Sequence, residues 1–336
     1  STSCKARGSS SKAFALCSKA SYLDIHFSNL SLSLLALTFA ALQTLHTARY
    51  TTLLKLFLAL GNTDIDGKGI AGIEKKFDKV LANGEDISIS IHSGIQHIIK
   101  TLLLEQINQF KAEGGAGIIM DTKNGEIYAL VSLPDYNANN YNKLFNKATK
   151  GTYELGSTLK LITAAVALES DLINENEVFD VSNPLMISSR TIRDYHPLNY
   201  AISIPEVVVH SSNIGSAKIA EKFGSSTQLK YLKSLGLMDK LSLELPELGK
   251  PQVRTDKKLL TTMTISYGHG ISITPTHLAS ATATIVNDGI RVDPTLLISK
   301  SAKKERRIFS KKTSNTMKSI MRLVVSNKNG TAKQAE

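Results

Sequence analysis

Tyr153-Glu154-Leu155-Gly156-Ser157-Thr158-Leu159-Lys160, with Ser211-Ser212-Asn213 downstream of it, is the stretch from which this chain can be read. A serine hydroxyl is a weak nucleophile at neutral pH and needs a neighbour to accept its proton during attack. The spacing predicts a helix that opens at Ser157 and continues through the apolar run 161–168. Lys160, three residues on, then lies on the same face as Ser157 and can serve as its base. Residues 153–156 read as a turn into that helix, with Gly156 permitting tight backbone geometry. A nucleophile placed there also faces unpaired N–H groups that favour developing negative charge. Ser211 supplies a second hydroxyl that can relay a proton.

Taken alone, S-x-x-K carries little information, because the chain also contains it at Ser9-Lys12 and Ser301-Lys304. The plain alternative for Ser157 is a helix cap with a solvated lysine one turn later. For 211–213 the alternative is an ordinary N-cap. Ser211-x-Asn213 is, however, the only S-x-N in the sequence.

Context decides between these readings. Residues 153–160, Ser211-Ser212-Asn213, Tyr267-Gly268-His269-Gly270 with Thr274-Pro275, and Gly69-Ile70-Ala71-Gly72-Ile73-Glu74-Lys75-Lys76-Phe77-Asp78 occur in one chain. Together they resemble the class B penicillin-binding proteins, and among these the division-specific peptidoglycan transpeptidases, from about residue 62 onward. S-x-x-K, S-D-N and K-T-G are the signature set of this superfamily. The resemblance implies an α+β domain of the serine transpeptidase and β-lactamase type, an antiparallel sheet with a helical cluster. It implies catalysis by Ser157 as nucleophile, Lys160 as base and Ser211 as proton relay, with Asn213 binding substrate. The implied ligands are peptidoglycan stem peptides and β-lactams, and division proteins are implied partners. The implied location is the bacterial inner membrane, with the main domain on the periplasmic side.

The resemblance also implies a third motif, K-T/S-G-T, on a sheet strand that supplies an oxyanion donor and a carboxylate anchor. Lys328-Asn329-Gly330-Thr331-Ala332 has a similar outline but carries Asn in place of the hydroxyl residue. Residues 321–325 and 329–336 align better with the segment that precedes this motif. On that alignment the chain is expected to stop short of the motif and to lack the C-terminal sheet strands, leaving little or no transpeptidase activity. A remnant that only binds peptidoglycan or division partners is then an alternative. A β-lactamase is another, although no residue pattern for a deacylating water is present.

Composition fits a globular domain with an appendage: 336 residues, 42% of them apolar. Forty basic against 29 acidic residues give a formal charge of +11. This could favour nucleic acid, anionic lipid or an acidic polymer. No nucleic-acid motif is present, tryptophan is absent, and basic residues cluster only at 303–307 and 311–312, which reads as a solvated hairpin or helix face. Nucleic acid is therefore not expected as a partner. Cys4 and Cys17 are the only cysteines and neither has metal-ligand spacing; the eight histidines form no H-E-x-x-H. Neither a metal nor a cofactor is expected.

Along the chain, residues 1–60 read as an unplaced leader. Its uncharged stretch 27–48 is a candidate membrane anchor, diluted by Ser, Thr, Gln43 and His46. Lys5, Arg7, Lys12 and Lys19 precede it, which by the positive-inside rule would leave the rest of the chain outside the cytoplasm. Residues 61–84 read as the remnant of a pedestal domain and 85–336 as an incomplete transpeptidase domain. Within the latter, 87–91 alternate as a strand and 95–110 show helical spacing. Residues 116–121 and 126–132 read as a hairpin around Asn124-Gly125. Helices are predicted over 157–170, 205–223, 226–236 and 276–287.

Overall fold

A computed structural model describes residues 4–5, 57–134, 145–174, 176–298 and 305–332. The candidate anchor 27–48 and the basic residues 303–304 lie outside the described residues. Among the described residues no helix is long and apolar enough to cross a membrane.

The expected hairpin is the longest β structure described. Strand β1 (Gly115–Met120) pairs antiparallel with β2 (Ile127–Leu133), from Gly115 opposite Leu133 to Met120 opposite Ile127. At the turn, Asp121 Oδ1 accepts from Lys123 N and Asn124 N, and Gly125 takes φ +79°. That left-handed geometry suits glycine. Helix α1 (Ser93–Phe110) packs on this ribbon. It begins where the His92 ring accepts from Ile95 N, and it ends at Lys111, which adopts φ +51°. Gln96 reaches from α1 to Leu130, donating to its carbonyl at 2.9 Å and accepting from its N–H at 2.7 Å. A buried side-chain amide thereby satisfies two strand groups that burial would otherwise penalise.

The helical cluster follows. Helix α2 (Lys160–Glu169) is enclosed by α3 (Ile204–Val209), α4 (Asn213–Ser234), α5 (Leu259–Ser266), α6 (Pro275–Val286) and α7 (Lys311–Ser326). Seven of its ten residues are buried, Lys160 among them. A helix apolar on nearly every side belongs in the interior of a cluster. Between α2 and α3 lies a short ribbon of β3 (Leu185–Ile187) and β4 (Arg190–Ile192).

Two buried clusters stand behind these elements. The larger joins α2, α4, α5 and the C-terminal helix through residues such as Leu159, Ile162, Phe223, Met263 and Phe309. The second gathers Leu60, Ile73, Leu81, Ile89, Ile127, Leu130, Leu243 and Leu296. Residues 59–81 thus share a core with the ribbon and with segments 200 residues away. Glu247 adds a polar tie, accepting from Gly72 N at 3.2 Å.

Two local expectations are corrected. Residues 205–223 do not form one helix, because the chain breaks at 210–212 and α4 starts afresh at Asn213. The strand expected over 87–91 is regular only at Ser88–Ile89. The basic pair Lys311 and Lys312 lies exposed on the first turn of the helix Lys311–Ser326, a solvated helix face as expected.

Candidate active site

Gly156 takes φ +54°, a left-handed conformation that glycine adopts readily. The chain enters α2 through a single 3-10 turn, Gly156–Leu159, rather than as an α-helix from Ser157. Side chains at i and i+3 eclipse in that tighter geometry. Lys160 Nζ accordingly lies 3.1 Å from Ser157 Oγ. Ser157 is exposed while Lys160 is 3% exposed, so the serine faces solvent and its partner is enclosed.

The turn is clamped by the segment 267–273. An ideal Cβ on Gly268, which has φ +94°, would lie 2.1 Å from the Gly156 carbonyl oxygen, so only glycine allows that approach. Glu154 accepts from Gly270 N at 2.7 Å and meets the His269 ring at 3.0 Å. Tyr153 and Ile273 exchange backbone hydrogen bonds in both directions. Thr163 donates to the Ser266 carbonyl below.

On the other side of Lys160 sits the break between α3 and α4. Ser211 adopts φ +56°, an uncommon conformation for a residue with a Cβ. Its hydroxyl accepts from Lys160 Nζ at 2.9 Å and its carbonyl accepts from the same ammonium. A non-glycine residue held in this region is a feature that clusters at functional sites. Ser212 is the N-cap of α4, its Oγ accepting from Gly215 N at 2.8 Å. The cap and the site are therefore neighbouring residues of one motif, not alternatives. Asn213 Nδ2 donates to the Arg193 carbonyl at 2.9 Å, and its side-chain carbonyl has no partner among the described residues.

Burial holds the Lys160 amine well below the ordinary lysine value, at about 8, while the Asp194 carboxylate acts in the opposite direction. Hydrogen-bond counting shows how the site can switch. As an ammonium, Lys160 directs N–H groups at Ser157 Oγ, Ser211 Oγ and the Ser211 carbonyl. As a neutral amine it keeps two N–H groups for Ser211 and turns its lone pair toward the Ser157 hydroxyl. That second state is the arrangement of a general base within reach of the proton it removes.

Sequence reasoning named Ser157, Lys160 and Ser211, and the structure brings both serines within hydrogen-bond distance of the Lys160 amine. That reasoning missed Asp194, whose carboxylate accepts from Ser212 Oγ at 2.6 Å and from Asn213 N and Ile214 N. It also missed the Glu154 contact with residues 269–270. Neither has a local sequence signal, since the partners lie 18 and more than 100 positions apart. Lys328-Asn329-Gly330 forms a turn after α7, with Gly330 N donating to the Asn327 carbonyl, and not a sheet strand beside Ser157. Among the described residues no group of three or more His, Cys, Asp or Glu side chains could hold a metal.

Ser157 and Lys160 beside Ser211, with Asn213 two residues on, supply two of the three motifs that the sequence resemblance implies. The profile of the penicillin binding protein transpeptidase domain matches residues 115–336. The chain belongs to that family.

Within the family, the chain is 33% identical over 290 residues to the probable peptidoglycan D,D-transpeptidase FtsI of Caulobacter vibrioides, covering 82% of this chain and 49% of that protein. It is 28% identical over 277 residues to the peptidoglycan D,D-transpeptidase FtsI of Escherichia coli, covering 70% of this chain and 46% of the relative. The chain therefore spans about half the length of these curated relatives. The transpeptidase domain of Burkholderia pseudomallei penicillin-binding protein 3 superposes with a TM-score of 0.67 at 26% identity, over 74% of this chain and 73% of that one. The fold is thus the α+β serine transpeptidase fold, and the chain is a class B penicillin-binding protein resembling the division transpeptidases.

Proposed function

We propose that this chain carries the acylation site of a septal peptidoglycan D,D-transpeptidase. The observation that carries the reading is the enclosed Lys160 amine within hydrogen-bond distance of both Ser157 Oγ and Ser211 Oγ. Ser157 Oγ attacks the carbonyl of the D-alanyl-D-alanine bond in a stem peptide, and its proton passes to neutral Lys160. The C–N bond then breaks, and the departing D-alanine amine receives a proton through Ser211. The resulting ester on Ser157 is attacked by an amine of a neighbouring stem, which forms the cross-link and restores the serine. Asn213 is suited to hold the substrate amide through its open side-chain carbonyl. The backbone N–H of Ser157, at the start of the 3-10 turn, is the candidate donor to the developing negative charge, and a single such donor is typically worth about 10²–10³ in turnover.

The test is covalent labelling with a fluorescent penicillin. Labelling of the folded chain that disappears in Ser157→Ala supports the reading. No labelling of folded protein refutes it and leaves a peptidoglycan- or division-protein-binding role. Continuous hydrolysis of a chromogenic β-lactam would instead indicate a β-lactamase.

The basic residues preceding the uncharged stretch 27–48 support a location in the bacterial inner membrane with the site on the periplasmic side. Digestion of the chain by protease added to spheroplasts tests this, and protection in intact spheroplasts would overturn it.

A further inference from the structure

We propose that Asp194 is a positioning residue for the acylation site, tying the Ser211-Ser212-Asn213 turn to the β3–β4 ribbon and balancing the charge beside Lys160. The inference deepens the acyl-serine reading and rests on it for its kinetic consequence, but not for its structural one.

Asp194 follows β4 directly and is partly buried. One carboxylate oxygen accepts from Ser212 Oγ at 2.6 Å; the other accepts from Asn213 N and, at 3.0 Å, from Ile214 N. With Ser212 Oγ accepting from Gly215 N, the first three N–H groups of α4 are all satisfied. Two of them are satisfied from a separate element 19 and 20 residues upstream. A carboxylate at a helix N-terminus is favoured both as a hydrogen-bond acceptor and by the helix dipole. The adjacent Arg193 carbonyl adds a second attachment by accepting from Asn213 Nδ2.

The consequence lies one residue before the cap. Ser211 is held at φ +56° between the end of α3 and this anchored start of α4. Isolated, a residue with a Cβ disfavours that conformation, because its Cβ crowds the following carbonyl oxygen. Here the chain is held on both sides, by Ser211 N and Ser212 N donating to Val208 and Val207 carbonyls and by the Asp194 contacts. The conformation is what aims both the Ser211 hydroxyl and its carbonyl at Lys160. Asp194 thus places Ser211 without touching the reacting atoms.

Its charge acts in parallel. The elements that carry or flank the site hold Glu154 and His269 at the turn before α2, Glu206 and His210 on and after α3, Lys218 on α4, and Arg190, Arg193 and Asp194 on or just after β4. Glu154 pairs with His269, and the His210 field acts on Glu206. Among these groups only Asp194 acts on Lys160, favouring the ammonium against the burial that opposes it.

The experiment follows Lys160 by NMR in the full chain carrying ¹³C-labelled lysine, its signal assigned by loss in Lys160→Arg. Asp194→Asn retains an acceptor oxygen for the α4 N–H groups and removes the charge. The Lys160 titration is expected to move to lower pH, with a larger neutral fraction at a given pH. Glu206→Gln, which removes a carboxylate from the capping box of α3, should leave it in place. If Asp194→Asn does not fold, Asp194→Ser, which keeps a short oxygen cap, serves the same purpose. An unmoved titration in a folded Asp194 variant, or an equal movement in Glu206→Gln, overturns the proposal. In labelling with fluorescent penicillin, the pH limb of the acylation rate should move with the titration. Absence of labelling in the unsubstituted chain would sink the acylation reading while the titration still decides the role of Asp194.

Discussion

Replacing Lys160 by Met should remove acylation and at the same time flatten the stability of the domain at alkaline pH. Met keeps an unbranched, flexible chain of similar length and discards the ionisable amine. Lysine ordinarily titrates near 10.5, and burial lowers Lys160 to about 8 in the folded chain. A basic group whose folded value is depressed resists protonation in the native state, so protonation of the unfolded chain penalises folding below the folded value. That penalty is relieved as pH rises from about 8 toward 10.5. At pH 9.5, about 1.5 units above the folded value, the folded amine is mostly neutral while the unfolded one is still mostly charged. At about 1.36 kcal/mol per unit, the native chain should gain about 2 kcal/mol between pH 7 and pH 9.5 from this one group. The hydrogen bonds lost with the amine shift the stability of Lys160→Met by a pH-independent amount and do not enter the slope. Tyr128, Tyr153, Tyr231 and Tyr267, all held above the ordinary tyrosine value chiefly by burial, act in the opposite sense near pH 10. They are present in both proteins and cancel in the difference. Urea unfolding at the two pH values, compared between the two proteins, measures the slope. Equal pH dependence in both would refute the claim that Lys160 is buried with a depressed affinity for protons. Retention of penicillin labelling in Lys160→Met would refute its role as base.

Two further outcomes follow from the walls of the site. Gly268→Ala would place a methyl group 2.1 Å from the Gly156 carbonyl in a backbone conformation that disfavours it; a loss of about 2 kcal/mol or more is expected by urea unfolding, with slower penicillin labelling. An unchanged unfolding midpoint would show that the clamp on the nucleophile turn is not needed. His277 is buried, its Nε2–H donates to the Asp239 carbonyl and its Nδ1 accepts from Thr274, and burial lowers its affinity for protons. Native stability should therefore fall as pH drops below the ordinary histidine value of 6.5, and His277→Gln should lose less than the unsubstituted chain between about pH 7 and pH 5.5; parallel curves would contradict this.

Much of this architecture could be read residue by residue, because it depends on neighbours in the chain. Helical spacing located α1, and Asn124-Gly125 located the β1–β2 turn, since both signals reside in a few consecutive residues. The pair Ser157 and Lys160 was legible for the same reason, three positions being one turn of helix. The break at 210–212 was not. The apolar run from Val207 through Ile214 to Ala220 carries helical spacing straight across it. What interrupts the helix is a set of distant contacts, Asp194 seizing the first N–H groups of α4 and Lys160 holding the Ser211 carbonyl.

The sequence by itself therefore determined the family and pointed to Ser157, Lys160 and Ser211 as candidate site residues, all through short-range spacing and ordered motifs. The state of those groups was left to the tertiary structure. Only the enclosure of Lys160 by α2 and its surrounding helices lowers its proton affinity, because desolvation depends on every element packed around the amine. Contacts from α3, Lys160 and Asp194 together hold the conformation of Ser211, and a cap supplied from another element has no fixed spacing in the chain.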